Sequence, residues 1–351
     1  MKMTFRWYGP TDPITLDKIK QIPGMTGVVT ALYTIPVGNV WDLDSIMKLK
    51  DMVNKAGLEM EVIESVPVHE EIKLGSDARD ELIENYIQTI KNLATAGVKV
   101  ICYNFMPVFD WVRSELKYVT DDGSNCLAYD QRTIDGLNPK KQTLSLPGWD
   151  ESYTKDELDA LLKRYEDVDE EKLFDNMVYF LKKIIPVCEE CDVKMAVHPD
   201  DPPWSLFGLP RIITSESQID KLFAAVNSVY NGITLCTGSL GASRDNDLLK
   251  MAGKYAKMGR VHFLHARNIK FTSTDDTRLF FNESPHPTEC GSLDIYGILK
   301  ALADAGFTGY TRPDHGRNIW GEDGKPGYGL YDRALGATYL YGLWEGLTKT
   351  K

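Results

Sequence analysis

No stretch of about 18 apolar residues occurs in this 351-residue chain, so no segment is expected to span a membrane as a helix. The N-terminal MKMTFRWYGP also lacks the apolar core of a secretory signal. Cysteine is sparse: Cys102, Cys126, Cys188, Cys191, Cys236 and Cys290 do not form a disulfide-framework pattern. A reducing cytoplasm is the expected setting, and there a thiol is free to act as a ligand. Positive charge is short as well, with 40 basic against 51 acidic residues and a net charge of −11. With no basic stripe, a phosphate-backbone partner, and so nucleic acid, is not expected. An acidic enzyme can still take a small anion if a few arginines line its pocket. Finally, no glycine fingerprint follows the first strand, where the chain reads RWYGPTDP, and this argues against a doubly wound dinucleotide-type sheet.

What is present is a globular composition, 43% hydrophobic and 26% charged. Short β-branched or aromatic runs recur as predicted strands at 5–7, 27–30, 60–64, 98–104, 193–198, 232–236, 260–265 and 309–313. Helical periodicity fills most of the intervals, with Ser or Asp at the starts and Gly57, Gly97, Gly232 and Gly306 at the ends. The junctions AGVKVICYN and AGFTGYTRPD share one helix–turn–strand cadence. Eight strands, each followed by a helix or loop, predict an α/β fold: a single (β/α)₈ TIM barrel over residues 1–351. One segment, 105–167, breaks the rhythm between the fourth strand and its helix, and it reads as an inserted cap over the C-terminal face.

On a barrel, chemistry sits where the strands end. The fifth predicted strand ends at His198, the sixth at Cys236 and the seventh at His265, and Asp314 follows the eighth. Taken singly, each has an ordinary reading: a structural histidine, a small apolar thiol, a helix cap. Together, on four successive strands of a closed barrel, imidazole, thiolate and carboxylate make a ligand set for a divalent transition ion. The CEEC of Cys188 and Cys191 lies at the end of a helical pattern without a partner pair and reads as structural. His262 precedes His265 by three residues, so a regular strand turns it to the opposite face, as a packing residue.

Around the predicted metal lie groups suited to a polyhydroxy acid. Arg312, Arg317 and Arg267 suit a carboxylate, which a guanidinium grips in two-pronged fashion. His315 and Tyr328 suit proton transfer. Trp7, His69, Glu70, Asn104 and Trp111 sit at or beyond other strand ends as further pocket-lining residues.

These stretches carry a resemblance. FRWYGPTDP (5–13), VPVHEEIKLG (66–75), YNFMPVFDWVR (103–113), VHPDDPPWSLFGLPRI (197–212), LCTGSLGA (235–242), VHFLHARN (261–268) and RPDHGR (312–317) resemble the mannonate dehydratase family over nearly the full length. The resemblance implies a xylose-isomerase-like barrel that converts D-mannonate to 2-keto-3-deoxy-D-gluconate in hexuronate catabolism. It implies one Mn²⁺ or Fe²⁺ per site, with Zn²⁺ compatible with the thiolate. The family's ligands match His198, Cys236, His265 and Asp314, and its catalytic pair matches His315 and Tyr328. Many relatives carry His where this chain has Arg317, so an anion-binding role is expected at that position. Three other functions compete. A sugar or sugar-acid isomerase or epimerase on the same barrel would favour several carboxylates around its metal. A zinc endonuclease would favour basic charge, and a silent sugar-acid binder would lack His315 and Tyr328. A homodimer is expected, with the insertion after the fourth strand as one surface for it.

Overall fold

A computed structural model describes residues 1–137, 154–272 and 280–349, so residues 138–153 of the predicted cap lie outside the described residues. The strands run in chain order as β1 (Lys2–Arg6), β2 (Met25–Thr30), β3 (Glu59–Glu64), β4 (Val100–Tyr103), β5 (Glu115–Val119) and β6 (Asn125–Asp130). They continue as β7 (Lys194–Val197), β8 (Asn231–Cys236), β9 (Val261–Ala266), β10 (Asn268–Phe271), β11 (Phe280–Ser284) and β12 (Tyr310–Pro313). Eight of them close into a barrel in the order β1–β12–β9–β8–β7–β4–β3–β2. Each predicted barrel strand corresponds to one of these eight, with no end displaced by more than three residues.

Strands covered on both faces are buried at every position, as β8 and β9 are, and they carry mostly apolar side chains with a few buried polar ones such as Asn231, Thr234, His262 and His265. The barrel interior is filled by Val29, Val62, Val100, Cys102, Ala196 and Phe263. A much larger apolar layer lies between the strands and the surrounding helices. The polar residues of the site begin where this inner plug ends, at the C-terminal rim.

The helices start and stop largely where local chemistry directs. Asp42 accepts a hydrogen bond from the Ser45 amide at the start of helix Leu43–Lys55, and Gly57 just after it has φ of 78°. Gly97 and Gly306 take the same left-handed conformation after their helices. Gly232 does not. Helix Glu216–Ala225 stops earlier, and Gly232 lies within β8, where a Cβ would collide with the His262 ring and the Arg260 carbonyl. Close strand packing, rather than a helix cap, requires glycine there.

The segment after β4 pairs β5 with β6 antiparallel and carries helices Gln131–Asp135 and Lys155–Arg164. It does not stand alone. The chain leaves β9 at Ala266, turns at Arg267 and forms β10 and β11, and β11 pairs antiparallel with β6. The result is one four-stranded sheet, β10–β11–β6–β5, built from two excursions 100 and more residues apart. No strand is predicted from sequence between the seventh and eighth barrel strands, because NIKF and FFNES are too short to stand out there.

Candidate active site

The strand register brings the ligand types together. His265 on β9 is level with Cys236 on β8 and with Arg312 on β12. His198, Cys236 and His265 offer donor atoms that all lie within 4.8 Å of one another. Asp314 joins them: its Oδ2 is 3.5 Å from Cys236 Sγ and its Oδ1 is 3.5 Å from His265 Nδ1. The sequence-predicted quartet therefore converges at one point.

Each ligand is held by the chain around it. The Nδ1–H of His198 donates to the carbonyl of Pro199 at 2.7 Å, so Nε2 is the nitrogen the ring turns towards the site. Cys236 receives the Ser239 hydroxyl at 3.0 Å and Arg267 Nη2 at 3.5 Å. Burial pushes the Cys236 thiol up, but the Arg267 guanidinium and His198 outweigh it and bring it down to about 5. Burial likewise opposes charge on His198, and the sulfur of Cys236 outweighs it, lifting the imidazole to about 9. A thiolate at neutral pH is the form that binds a cation. Asp314 is held well below the usual carboxylate range: burial resists ionisation, but Arg312, His315, His265 and Arg267 overcome it. Arg312 Nη2 lies 2.6 Å from Asp314 Oδ1, and Arg267 Nε lies 3.2 Å from its Oδ2.

The other nitrogen of His265, Nε2, lies 3.4 Å from Glu64 Oε2 and is buried without a hydrogen bond inside normal limits. Glu64, Cys102 and His265 also cluster closely enough to hold an ion. Two guanidiniums stand against that: Arg312 Nη2 is 3.1 Å and Arg6 Nη1 3.4 Å from the Glu64 carboxylate. The Glu64 carboxylate is therefore already paired with two arginines beside the His265 ring. The His198, Cys236, His265 and Asp314 set, with its thiolate, imidazole nitrogens and carboxylate, fits one divalent transition ion.

Beside it is the pair that the sequence suggested for proton transfer. His315 Nε2 is 3.0 Å from the Tyr328 hydroxyl, and Trp111 packs a tilted ring 5.3 Å from the imidazole. Burial raises the Tyr328 hydroxyl above its usual range, with Arg312 pulling the other way. Behind His315, its Nδ1 is 2.7 Å from Glu283 Oε1. Glu283 and Asp201 alternate with Arg113 and Arg267 in a fully buried charge network. Arg113 bridges Asp201 at 2.8 Å and Glu283 at 3.2 Å, and Arg267 does the same at 2.7 and 2.8 Å.

These groups face a polar cavity of about 130 Å³ lined by Arg6, Tyr8, Glu64, Asn104, Trp111 and Arg312, together with His198, Asp314, His315 and Tyr328. A polar space of this kind suits a small polar molecule.

Of the residues expected from sequence to bind substrate, Arg312, Asn104 and Trp111 line the cavity. Trp7 does not. Successive strand residues alternate faces, so Arg6 and Tyr8 face the cavity while Trp7 is buried in the outer apolar layer. His69 caps helix Glu70–Leu74, its Nδ1 accepting from the Glu71 amide at 3.1 Å. Glu70 is engaged by Lys73 at 2.6 Å and the Tyr165 hydroxyl at 2.5 Å. Arg317 turns away, binding Asp332 at 2.9 Å and Asp122 at 2.6 Å. Arg267 sits behind the site, its guanidinium committed to Asp201, Glu283, Ser239 and Asp314. His262 is buried, as a packing residue should be, and Cys188 and Cys191 are free thiols. Arg6 and Tyr8 were within reach of sequence reasoning through strand alternation. Glu64, at the end of the third strand, was within reach through the strand-end rule that found the ligands. Asp201, Arg113 and Glu283 carry no comparable signal.

Comparison with known proteins gives the family. The family profile for D-mannonate dehydratase (UxuA) matches residues 1–351. The mannonate dehydratase of Thermotoga petrophila is 57% identical, covering 100% of this chain and 99% of its own. That of Streptococcus uberis is 55% identical, covering 99% of each. A crystal structure of mannonate dehydratase from Streptococcus suis serotype 2 superposes with a TM-score of 0.91 at 47% identity, covering 100% of this chain and 94% of that one. A xylose isomerase-like TIM barrel protein from Mycobacterium smegmatis, 14% identical with a TM-score of 0.58, covers 95% of this chain and 88% of its own and shares the fold. The chain belongs to the D-mannonate dehydratase family, and its activity is that of a hydro-lyase.

Proposed function

We propose that this protein removes water from D-mannonate to give 2-keto-3-deoxy-D-gluconate, using one divalent metal ion per site. The observation that carries this reading is the hydrogen-bonded His315–Tyr328 pair beside the convergent His198, Cys236, His265 and Asp314 set, in one small cavity. Mn²⁺ or Fe²⁺ suits the mixed nitrogen, sulfur and oxygen donors, and the thiolate makes Zn²⁺ compatible as well. Bound there, the ion supplies positive charge against the negative charge that builds on the substrate's acid end.

The protein's own groups do the rest. The hydrogen on C2, beside the carboxylate, is weakly acidic, and its removal puts charge on the acid group. Arg312 and Arg6 line the cavity as fixed cations for that charge, and burial strengthens their effect. The C3 hydroxyl must gain a proton as its C–O bond breaks, or hydroxide is a very poor leaving group. His315 and Tyr328 share these base and acid roles. Loss of the C2 proton and the protonated C3 hydroxyl leaves an enol, which becomes the 2-keto acid as a proton returns to C3.

The protein acts as a cytoplasmic homodimer in hexuronate catabolism. An exposed Trp320 packed 5.8 Å from Tyr331, with Leu335 also exposed nearby in chain, supports a self-association surface. No helix among the described residues is long and apolar enough to cross a membrane. Incubating Mn²⁺-loaded protein with D-mannonate and assaying for a 2-keto acid tests the reaction, and absence of product with metal in place would overturn it.

A further inference from the structure

The imidazole of His315 has a different neighbour on each nitrogen. Nε2 faces the Tyr328 hydroxyl at 3.0 Å, on the cavity side. Nδ1 faces Glu283 Oε1 at 2.7 Å and Arg267 Nη1 at 3.0 Å, on the buried side. One is an acceptor and the other a donor, so the position of the ring proton has to be argued.

A bare Nδ1 lone pair 2.7 Å from a carboxylate oxygen would set two acceptors against each other in a dry environment, which is strongly unfavourable. Arg267 Nη1 does not need Nδ1 as an acceptor, because it already has Glu283 Oε1 at 2.8 Å. The arrangement that satisfies all three groups is Nδ1–H donating to Glu283. Nε2 then remains the nitrogen through which His315 exchanges a proton with Tyr328.

Glu283 is built into place for this. Its side chain is 2% exposed, and Arg113 Nη2 and Arg267 Nη1 both donate to the same Oε1. Arg113 and Arg267 are in turn tied together by Asp201, which accepts from both. Glu283 lies on β11, in the four-stranded sheet outside the barrel, and Arg113 lies just before β5 in that same sheet. The barrel alone supplies neither residue. The antiparallel sheet thus has a place in the reaction, although none of its strands lines the cavity.

We propose that Glu283 is the positioning residue of the acid–base pair: it accepts the Nδ1 proton of His315 and so holds Nε2 towards the Tyr328 hydroxyl. It touches neither the metal ligands' donor atoms nor the cavity, and it acts through His315. This rests on the dehydratase reading for its kinetic consequence but not for its geometry.

Two measurements decide it. In Glu283→Gln, an amide replaces the carboxylate at nearly constant volume. Turnover of D-mannonate should fall on the order of 10²–10⁴-fold, as when a triad carboxylate is made neutral. Bound metal per chain should stay the same, and KM should stay within roughly threefold, because ground-state binding is untouched. A loss of turnover under about threefold, with metal retained, would overturn the proposal. The second measurement uses the unaltered protein, so it holds even if the variant fails to fold. In ¹⁵N-histidine-labelled, Zn²⁺-loaded protein, the His315 Nδ1 resonance, assigned by its loss in His315→Asn, should show a protonated nitrogen. An unprotonated Nδ1 would overturn the proposal. If the wild-type protein made no 2-keto acid while Nδ1 was protonated, the dehydratase reading would fall and the role of Glu283 towards His315 would stand.

Discussion

His315 Nε2 and the Tyr328 hydroxyl oxygen lie 3.0 Å apart, so the two proton-transfer groups share one hydrogen bond rather than standing on opposite sides of the cavity. A proton moved by one is felt at once by the other, which makes them a single functional unit.

That coupling has a kinetic signature. Tyr328→Phe and His315→Asn should each lower turnover on the order of 10²–10⁴-fold, without loss of bound metal. Combining them should cost little beyond the slower single variant, because residues acting as a unit are strongly non-additive. Steady-state kinetics with metal analysis checks this. A fully multiplicative loss in the double variant would mean two independent groups.

Glu64 is predicted to matter to the metal rather than to the proton. It faces the outer nitrogen of His265, at 3.4 Å, and so fixes the ring that presents Nδ1 towards Asp314. Glu64→Gln should weaken metal binding about 10–100-fold, the range found for outer partners of ligating histidines. Competition against a chelator of known affinity reads this directly, and unchanged affinity would remove Glu64 from the role.

Arg317 separates the sequence expectation from the structure. Its guanidinium joins Asp332, which is 3% exposed, to Asp122 in the turn between β5 and β6. Arg317→Ala leaves the Asp332 carboxylate buried without its cation and should destabilise the fold by about 3 kcal/mol. Turnover and KM for D-mannonate should stay within roughly threefold, since no uniform binding is lost. Denaturant unfolding and steady-state kinetics together test it. A large rise in KM without loss of stability would restore the substrate-binding role.

His262 gives the fold a dependence on pH that is separate from the site. Burial, helped by the nearby charges of Lys194 and Arg260, lowers its imidazole from 6.5 to about 3. The unfolded chain therefore takes up a proton, as pH falls below 6.5, that the folded chain refuses. Stability is full above the unfolded value and declines in acid, at up to about 1.4 kcal/mol per pH unit. Between pH 7 and pH 5 this single residue should remove about 2 kcal/mol. His262→Asn should be less stable at pH 7, through lost packing against Gly232, yet should lose about 2 kcal/mol less than wild type over that interval. Equal pH slopes for the two proteins would contradict the assignment.

How much of this was legible in the sequence follows from the kind of rule that each residue obeys. A (β/α)₈ barrel was legible because strand and helix periods alternate along the chain, with glycines at most of the predicted joints. The metal ligands were legible for a related reason: parallel strands all end at one rim, so four strand-end residues spread over more than a hundred positions must meet. Trp7 was misplaced by one residue, since a strand's pleat sends Arg6 and Tyr8 to one face and Trp7 to the other. His69 and Arg317 were misread because a charged or polar side chain near a strand end has two destinies, cavity or cap, and composition is the same for both.

The sequence by itself determined the fold class and which candidate ligands and candidate acid–base groups stand at the strand ends, since these depend on local periodicity and on which residue types end the strands. The tertiary structure alone decided which carboxylate serves His315. Glu283 is 32 residues from His315 and 170 from Arg113, and it arrives on a strand that pairs both with neighbouring β10 and with distant β6. Pairing between such segments is set by the packing of the whole chain, and no local pattern carries it.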